Sequence, residues 1–263
     1  MKKTILMRSL LALVLGACTH NARQQARPTL HPAEQTQKPG ETRQPKAKPG
    51  ALLKVERIFQ VPEGIEHEGE FRAGVRYSDR LGTHIVILSE KGREHFEKDE
   101  EDEHKNLRAE LFAERFVVEE DNTLEPAWRV YDSQEGCSMD VDLGFIPDAF
   151  QVTDLNQDGI AEIWLAYSTS CGVDLAPKQM TIIMHEGKQA FTMSGRERML
   201  MVRHQDEETG EWLAPKPEDY WGGDYSFNKA FHEAPKAFQC FAKNLWNKYA
   251  LGEDGDGCDV SEE

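Results

Sequence analysis

No apolar run in the 263-residue chain reaches the ~20 residues that a bilayer-spanning helix needs. The chain also lacks HExxH, GxSxG, a Walker loop and GxGxxG, so none of the common metalloprotease, serine-hydrolase or nucleotide-binding signatures points to a reaction. Bases are scarce: 31 Lys and Arg stand against 47 Asp and Glu, a net charge of −16. The deficit is uneven, because residues 1–50 hold nine of the bases and only two of the acids, leaving residues 51–263 near −23. A surface that acidic repels phosphate backbones, and nucleic acid is not expected as a partner.

The first eighteen residues have a separate logic. Lys2, Lys3 and Arg8 precede the apolar run Ser9 to Leu15, and Leu15-Gly16-Ala17-Cys18 closes it. The run is too short to span a membrane and reads as a secretion signal. Its last four residues resemble the lipobox of bacterial lipoproteins. That resemblance implies cleavage before Cys18 and acylation of its thiol with chains such as palmitate. Two or three acyl chains hold a protein on a membrane where one does not. Thr19, in place of Asp after the cysteine, implies sorting to the outer membrane. Residues 19–50 follow with Pro28, Pro32, Pro39, Pro45 and Pro49 among Gln, Lys, Arg and Thr. So little apolar surface predicts a disordered tether with a basic surplus of four, and residues 51–263 remain as one domain.

Within that domain the pattern predicts an α+β fold, mostly antiparallel sheet with a C-terminal amphipathic helix packed on it. Strands are expected at Phe71–Tyr77, His84–Leu88, Leu107–Val118, Ala127–Tyr131, Phe150–Thr153, Glu162–Tyr167, Gln179–His185 and Gln189–Met193. Short turns such as Asp79-Arg80-Leu81-Gly82 and Glu186-Gly187-Lys188 join several of them, which favours antiparallel pairing. Phe238, Phe241, Ala242, Leu245, Trp246 and Tyr249 repeat at helical spacing between Pro235 and Gly252. The charged stretch Glu90 to Asn106 is expected as a solvated loop.

Once Cys18 is acylated, four cysteines remain: Cys137, Cys171, Cys240 and Cys258. An even count in an exported protein predicts two disulfides, and three connectivities are open. Cys137 with Cys171 and Cys240 with Cys258 are favoured, because the first pair joins neighbouring strand ends and the second staples the acidic tail to the helix. Zinc is the rival, but no CxxC pair supports it.

One segment carries inorganic chemistry. Asp154-Leu155-Asn156-Gln157-Asp158-Gly159-Ile160-Ala161-Glu162 sets side-chain oxygens at alternate positions around a glycine turn, a spacing that suits calcium, which takes six to eight hard oxygens. Asp154, Asn156, Asp158 and Glu162 are the expected side-chain ligands, and Ile160 supplies a carbonyl. Leu165 stands where an EF-hand has its bidentate glutamate. The segment resembles instead the calcium loops of FG-GAP and VCBS repeats. Its single copy excludes a propeller built of such repeats. The ion is expected to be structural, and an Asx-rich turn without an ion is the simpler alternative.

A second resemblance covers roughly Ala73 to Met193. Trp128-Arg129-Val130-Tyr131-Asp132, Cys137-Ser138-Met139-Asp140, the Thr153 to Glu162 loop, Cys171-Gly172-Val173-Asp174 and Met184-His185-Glu186-Gly187 follow in an order similar to that of the bacterial family labelled surface polysaccharide biosynthesis proteins. The pairs Cys137 with Asp140 and Cys171 with Asp174 carry over. Leu175-Ala176 departs from the Val-Ser expected there. The resemblance implies a role in the cell envelope.

Two functions follow. The first is a non-enzymatic binding or assembly lipoprotein of the outer membrane, calcium-stabilised, with surface polysaccharide or an envelope protein as its partner. The second is a glycan-active enzyme using carboxylates such as Asp140, Asp142, Asp174 and Asp219 beside the aromatic loop Trp212, Tyr220, Trp221 and Tyr225. Ser226-Phe227-Asn228-Lys229 fits SxxK without the companion motifs of penicillin-binding enzymes.

Overall fold

Strands of the expected kind do form, and they stack in two layers. The structure is a computed structural model that describes residues 53–95, 107–137, 139–172, 176–253 and 258, together with the backbone of 29–31. Cys18, the leader 1–18 and the tether apart from 29–31 lie outside the described residues. The first sheet contains β1 (Thr29–His31), β2 (Lys54–Ile58), β3 (Glu70–Asp79), β4 (Gly82–His95), β5 (Leu107–Val118) and β6 (Leu124–Cys137), in the order β1-β6-β5-β4-β3-β2. The second contains β7 (Val141–Phe145), β8 (Gln151–Thr153), β9 (Glu162–Cys171), β10 (Gln179–Glu186), β11 (Gln189–Arg196) and β14 (Tyr225–Phe227), ordered β14-β11-β10-β9-β7 with β8 also on β9. A small ribbon pairs β12 (Met199–Leu200) with β13 (Tyr220–Trp221). Every pairing is antiparallel, and in the β3–β4 and β10–β11 hairpins a two-residue turn such as Arg80-Leu81 leaves no room for a crossover.

β9 and β10 are buried on both faces, which explains why they read as unbroken apolar runs in place of an alternating pattern. Ile163, Leu165, Tyr167 and Ile183 face the first sheet, where Val86, Leu88, Leu111, Ala113 and Val130 meet them. Trp164, Ala166, Met180, Ile182 and Met184 face the other way, onto the helices α1 (Lys229–His232) and α2 (Lys236–Trp246). Phe238, Ala242 and Trp246 of α2 are fully buried there and Leu245 nearly so, as the helical spacing predicts. Full burial of each such large side chain contributes about 1.5–3 kcal/mol. A π turn over Asn247–Leu251 ends the helix, and Gly252 caps it at φ 66°. The outer face of the first sheet packs Ile85 and Ile87 under Ile58, Val61 and Ile65 of the preceding segment.

Both favoured disulfides are present, Cys137 to Cys171 and Cys240 to Cys258. The first joins the end of β6 to the end of β9 and so ties the two sheets together.

The sequence pattern cuts several strands short, β6 and β9 among them, and mistakes one strand extension for a loop. Glu90 to His95 continue β4 where a loop was expected, because Glu90 pairs with Leu111, Lys91 with Glu110 and Glu94 with Arg108 across a bulge. Opposite charges facing each other across a ladder stabilise it, and the charge that suggests a loop here serves a strand. Residues 96–106 lie outside the described residues. Three residues of the expected tether, Thr29–His31, pair with β6. Among the described residues no helix is long and apolar enough to cross a membrane.

One buried residue sets a pH dependence. The His185 ring lies against Trp128 at 4.1 Å, and neither ring nitrogen has a hydrogen-bond partner. Burial, and then the charge of Arg115, push its pKa down to about 4. Above pH ~6.5 the ring is neutral in the folded and unfolded chain alike; below that the unfolded chain takes up a proton that the folded one refuses. Stability is therefore expected to fall between pH 6.5 and 4, by about 3 kcal/mol from this group. Urea denaturation across that range should show the loss, and His185→Phe should remove this residue's share of the slope and leave that of His84, whose pKa burial also lowers.

Candidate functional site

The acidic turn between β8 and β9 is held by its own backbone. Asp154 accepts from Gly159 N at 3.1 Å, Asn156 Oδ1 from Asp158 N at 3.1 Å and Asp158 from Ile160 N at 2.7 Å. These contacts turn alternate side chains back over the loop, as short polar side chains do when they bond two or more residues on. Gln157 at φ 57° and Gly159 at φ 80° supply the reversal. Gly159 is also the point of contact with Arg80, whose side-chain carbons lie 3.6 Å from where a Cβ would stand.

Glu162 has a different place from the other expected ligands. It is completely buried, and its carboxylate accepts from Thr153 Oγ1 at 2.6 Å and from Leu155 N at 2.9 Å. Thr153 Oγ1 in turn accepts from the Trp164 indole at 2.8 Å. Burial raises the Glu162 pKa, opposed by those donors and reinforced by the charge of Asp154. Glu162 thus clasps the start of the loop to its end.

The turn between β10 and β11 adds a carboxylate that loop spacing alone does not reveal. Asn156 Nδ2 donates to Glu186 Oε1 at 2.7 Å. Burial and then the negative charges of Asp158, Glu162 and Asp154 raise the Glu186 pKa, against the hydrogen bond from Asn156. Arg80 lies 4.0 Å from Asp158 and is itself solvent-exposed. The sequence marks Glu186 through the expected Glu186-Gly187-Lys188 turn and through the Met184-His185-Glu186-Gly187 motif, neither of which points to a ligand.

Calcium takes six to eight hard oxygens. Asp154, Asn156 and Asp158 each keep oxygen lone pairs beyond those given to N–H groups, and Glu186 adds hard oxygens from a neighbouring strand. Among the described residues no three His, Cys, Asp or Glu side chains already stand around one point at ligand spacing. The donor chemistry fits a hard cation; where bound, calcium would supply charge neutralisation of these carboxylates.

Beneath the loop lies a buried polar relay. Asp79 accepts from Leu81 N at 2.7 Å, from Ala161 N at 3.0 Å and from the His84 ring at 3.2 Å. Arg80 N donates to Gly159 O at 2.8 Å. Arg115 continues the relay, reaching His84 Nδ1 at 3.1 Å and the Gly187 carbonyl at 3.2 Å. Burial works against the Asp79 charge, but His84 and the two backbone donors outweigh it and hold the carboxyl below its usual range. His84, pushed down by burial and by Arg115, stays a neutral bridge between the anion and the cation.

The other candidate carboxylates disperse. Asp140 meets Arg93 at 3.1 Å, Asp142 meets Lys178 at 2.6 Å and Asp219 meets His204 at 2.8 Å, while Asp174 lies outside the described residues. Ser226 donates to the Ser194 carbonyl and Lys229 pairs with Glu233, so the SxxK spacing brings no nucleophile to a base. The aromatic loop divides as well. Tyr220 lies beneath Arg198, Tyr225 packs against Trp246, and Trp212 stands 65% exposed.

Removing one partner of a buried charge network leaves the others uncompensated, at a cost of about 3–5 kcal/mol. Asp79→Ala is expected to lower urea stability by that order, and Asp158→Ala by less than about 1 kcal/mol in the absence of metal, since its carboxylate is half exposed. Equal losses from the two would contradict the relay's role as the loop's support.

Compared with family models, curated proteins and solved structures, this chain has no match.

Proposed function

We propose that this protein is a lipid-anchored, non-enzymatic binding or assembly domain of the bacterial outer membrane, and that its acidic turn takes a structural calcium ion. The observation that carries the calcium reading is the convergence of Glu186, from a separate hairpin, on the Asp154 to Glu162 loop. The charges of Asp154, Asp158 and Glu162 act on Glu186 there, and that of Asp154 on Glu162, with Arg80 4.0 Å from Asp158. A divalent cation relieves that repulsion, and Asp154, Asn156, Asp158, the Ile160 carbonyl and Glu186 are the oxygens that would hold it. Glu162 would keep the loop closed behind the ion through Thr153 and Leu155.

Anchoring rests on Leu15-Gly16-Ala17-Cys18 and the basic leader before it. The paired cysteines support an exported domain, since disulfides persist in oxidising compartments. A partner among surface polysaccharides or envelope proteins rests on the motif order from Trp128 to Gly187. Asp140, Asp142 and Asp219 each engage a separate cationic or imidazole group, which favours binding over paired-carboxylate hydrolysis.

Two measurements test this reading. Extracellular-type sites bind calcium with Kd of about 10⁻⁴–10⁻³ M, so 10 mM calcium should add about 1.4–2.7 kcal/mol and raise Tm by several degrees. Asp158→Asn and Glu186→Gln should each cut that shift sharply while leaving the chelated protein near its original Tm. No shift in the native chain would remove calcium from the proposal. Radiolabelled palmitate should enter the wild-type protein in bacteria and be absent from Cys18→Ser; label retained in Cys18→Ser would remove the anchor.

A further inference from the structure

Residues 201–218 leave the domain between β12 and β13 as an arm ordered by its own hydrogen bonds. Met201 N donates to Asp219 O at 2.8 Å, Leu213 N to His204 O at 3.0 Å and Asp206 N to Glu211 O at 2.8 Å. The Asp206 carboxylate accepts from Thr209 N at 2.7 Å and closes the tip, while buried Asp219 holds the base through Lys216 N and His204. Apart from half-buried Asp206, every residue of the arm is exposed.

Its composition does not suit that exposure. Met201, Val202, Trp212 and Leu213 are between 46% and 65% exposed, and Trp221 at the base is 43% exposed. Large apolar side chains gathered on an ordered, exposed element mark a surface that meets a partner. The arm also has a sign. Asp206, Glu207, Glu208, Glu211 and Glu218 face only Arg203 and Lys216, so a second copy of this acidic chain would bring like charges together.

A segment of opposite character lies in the same chain. Residues 32–50 contain Pro32, Pro39, Pro45 and Pro49, and Arg43-Gln44-Pro45-Lys46-Ala47-Lys48-Pro49 carries three bases and no acid. Proline-spaced chain is already restricted toward an extended conformation, so it seats on aromatic surfaces at low entropic cost. The segment is flanked by β1 on one side and by β2 on the other. The 22 residues between them span up to ~73 Å when extended. Lys46, eight residues before β2, can lie up to ~28 Å from that strand, farther than the ~17 Å radius of gyration of a domain this size.

We propose that the arm 201–218 is the docking surface for the chain's own basic, proline-spaced segment, with Arg43 to Pro49 at the centre of the contact. Trp212 stacks on a proline ring, Trp221 keeps its contact with Arg196, and the five acids meet Arg43, Lys46 and Lys48. The contact draws residues 32–50 against the domain. It depends on neither the calcium nor the acylation reading.

Acrylamide quenching of tryptophan fluorescence tests it, since Trp128, Trp164 and Trp246 are buried and the accessible signal belongs to Trp212 and Trp221. The full chain with Cys18→Ala is compared at low salt with the same chain whose residues 32–50 are replaced by Gly and Ser at equal length. Covering one of the two accessible rings should make quenching roughly twofold weaker with the native segment. The difference should shrink in about 0.5 M NaCl and in the triple variant Arg43→Gln, Lys46→Gln, Lys48→Gln, because both weaken the charge pairing. Equal quenching in the two chains overturns the proposal. So does shielding that persists in the Gly/Ser chain and rises with protein concentration, which would assign the arm to a second copy.

Discussion

The buried carboxylate of Asp79 is the contact on which the loop region depends. Taking an anion out of water costs several kcal/mol unless donors replace its hydration. Asp79 recovers that cost through Leu81 N, Ala161 N and His84, and these three come from a tight turn, a distant loop and a neighbouring strand. His84 passes the contact to Arg115, and Arg115 to the carbonyl of Gly187. One connected set of polar groups therefore fixes the β3–β4 turn, the acidic loop and the β10–β11 turn relative to one another. Glu186 meets Asn156 because that set holds both turns in place.

Such a relay stands only where water is kept out. The second sheet lies between the first sheet on one side and the helices on the other, so its central strands carry large side chains on both faces. Trp128 closes over His185, and the Cys137–Cys171 disulfide holds the far ends of β6 and β9. The arm at 201–218 departs from this economy of apolar surface, as does Phe59 before β3, which is 88% exposed. It spends ordered backbone on holding Trp212 and Leu213 in solvent, whereas Phe238 and Trp246 of the helix are buried completely.

Much of the fold was legible from local pattern. β5 begins and ends at the expected residues, and the aromatic spacing from Phe238 to Tyr249 places the helix and its buried face. β2, β7 and the short ribbon of β12 with β13 were not legible, since five or fewer residues of mixed polarity become strands only when a partner edge is already in place. The extension of β4 through His95 was hidden for the same reason, because cross-strand charges that favour a ladder resemble a solvated run when read singly.

The candidate site divides along the same line. The order of residues from Asp154 to Glu162 by itself determined a reversed turn with oxygens on alternate residues, because short polar side chains bond backbone N–H groups nearby and glycine permits positive φ. The cysteine count by itself determined that pairing was available, while closing the pairs required strand ends to meet. Only the tertiary structure decided that Glu162 turns inward as a clasp, that Glu186 joins the loop, and that Asp79 supports it from 82 residues away. Those contacts depend on desolvation and on the register of three hairpins, which arise when the sheets pack and have no counterpart in sequence spacing.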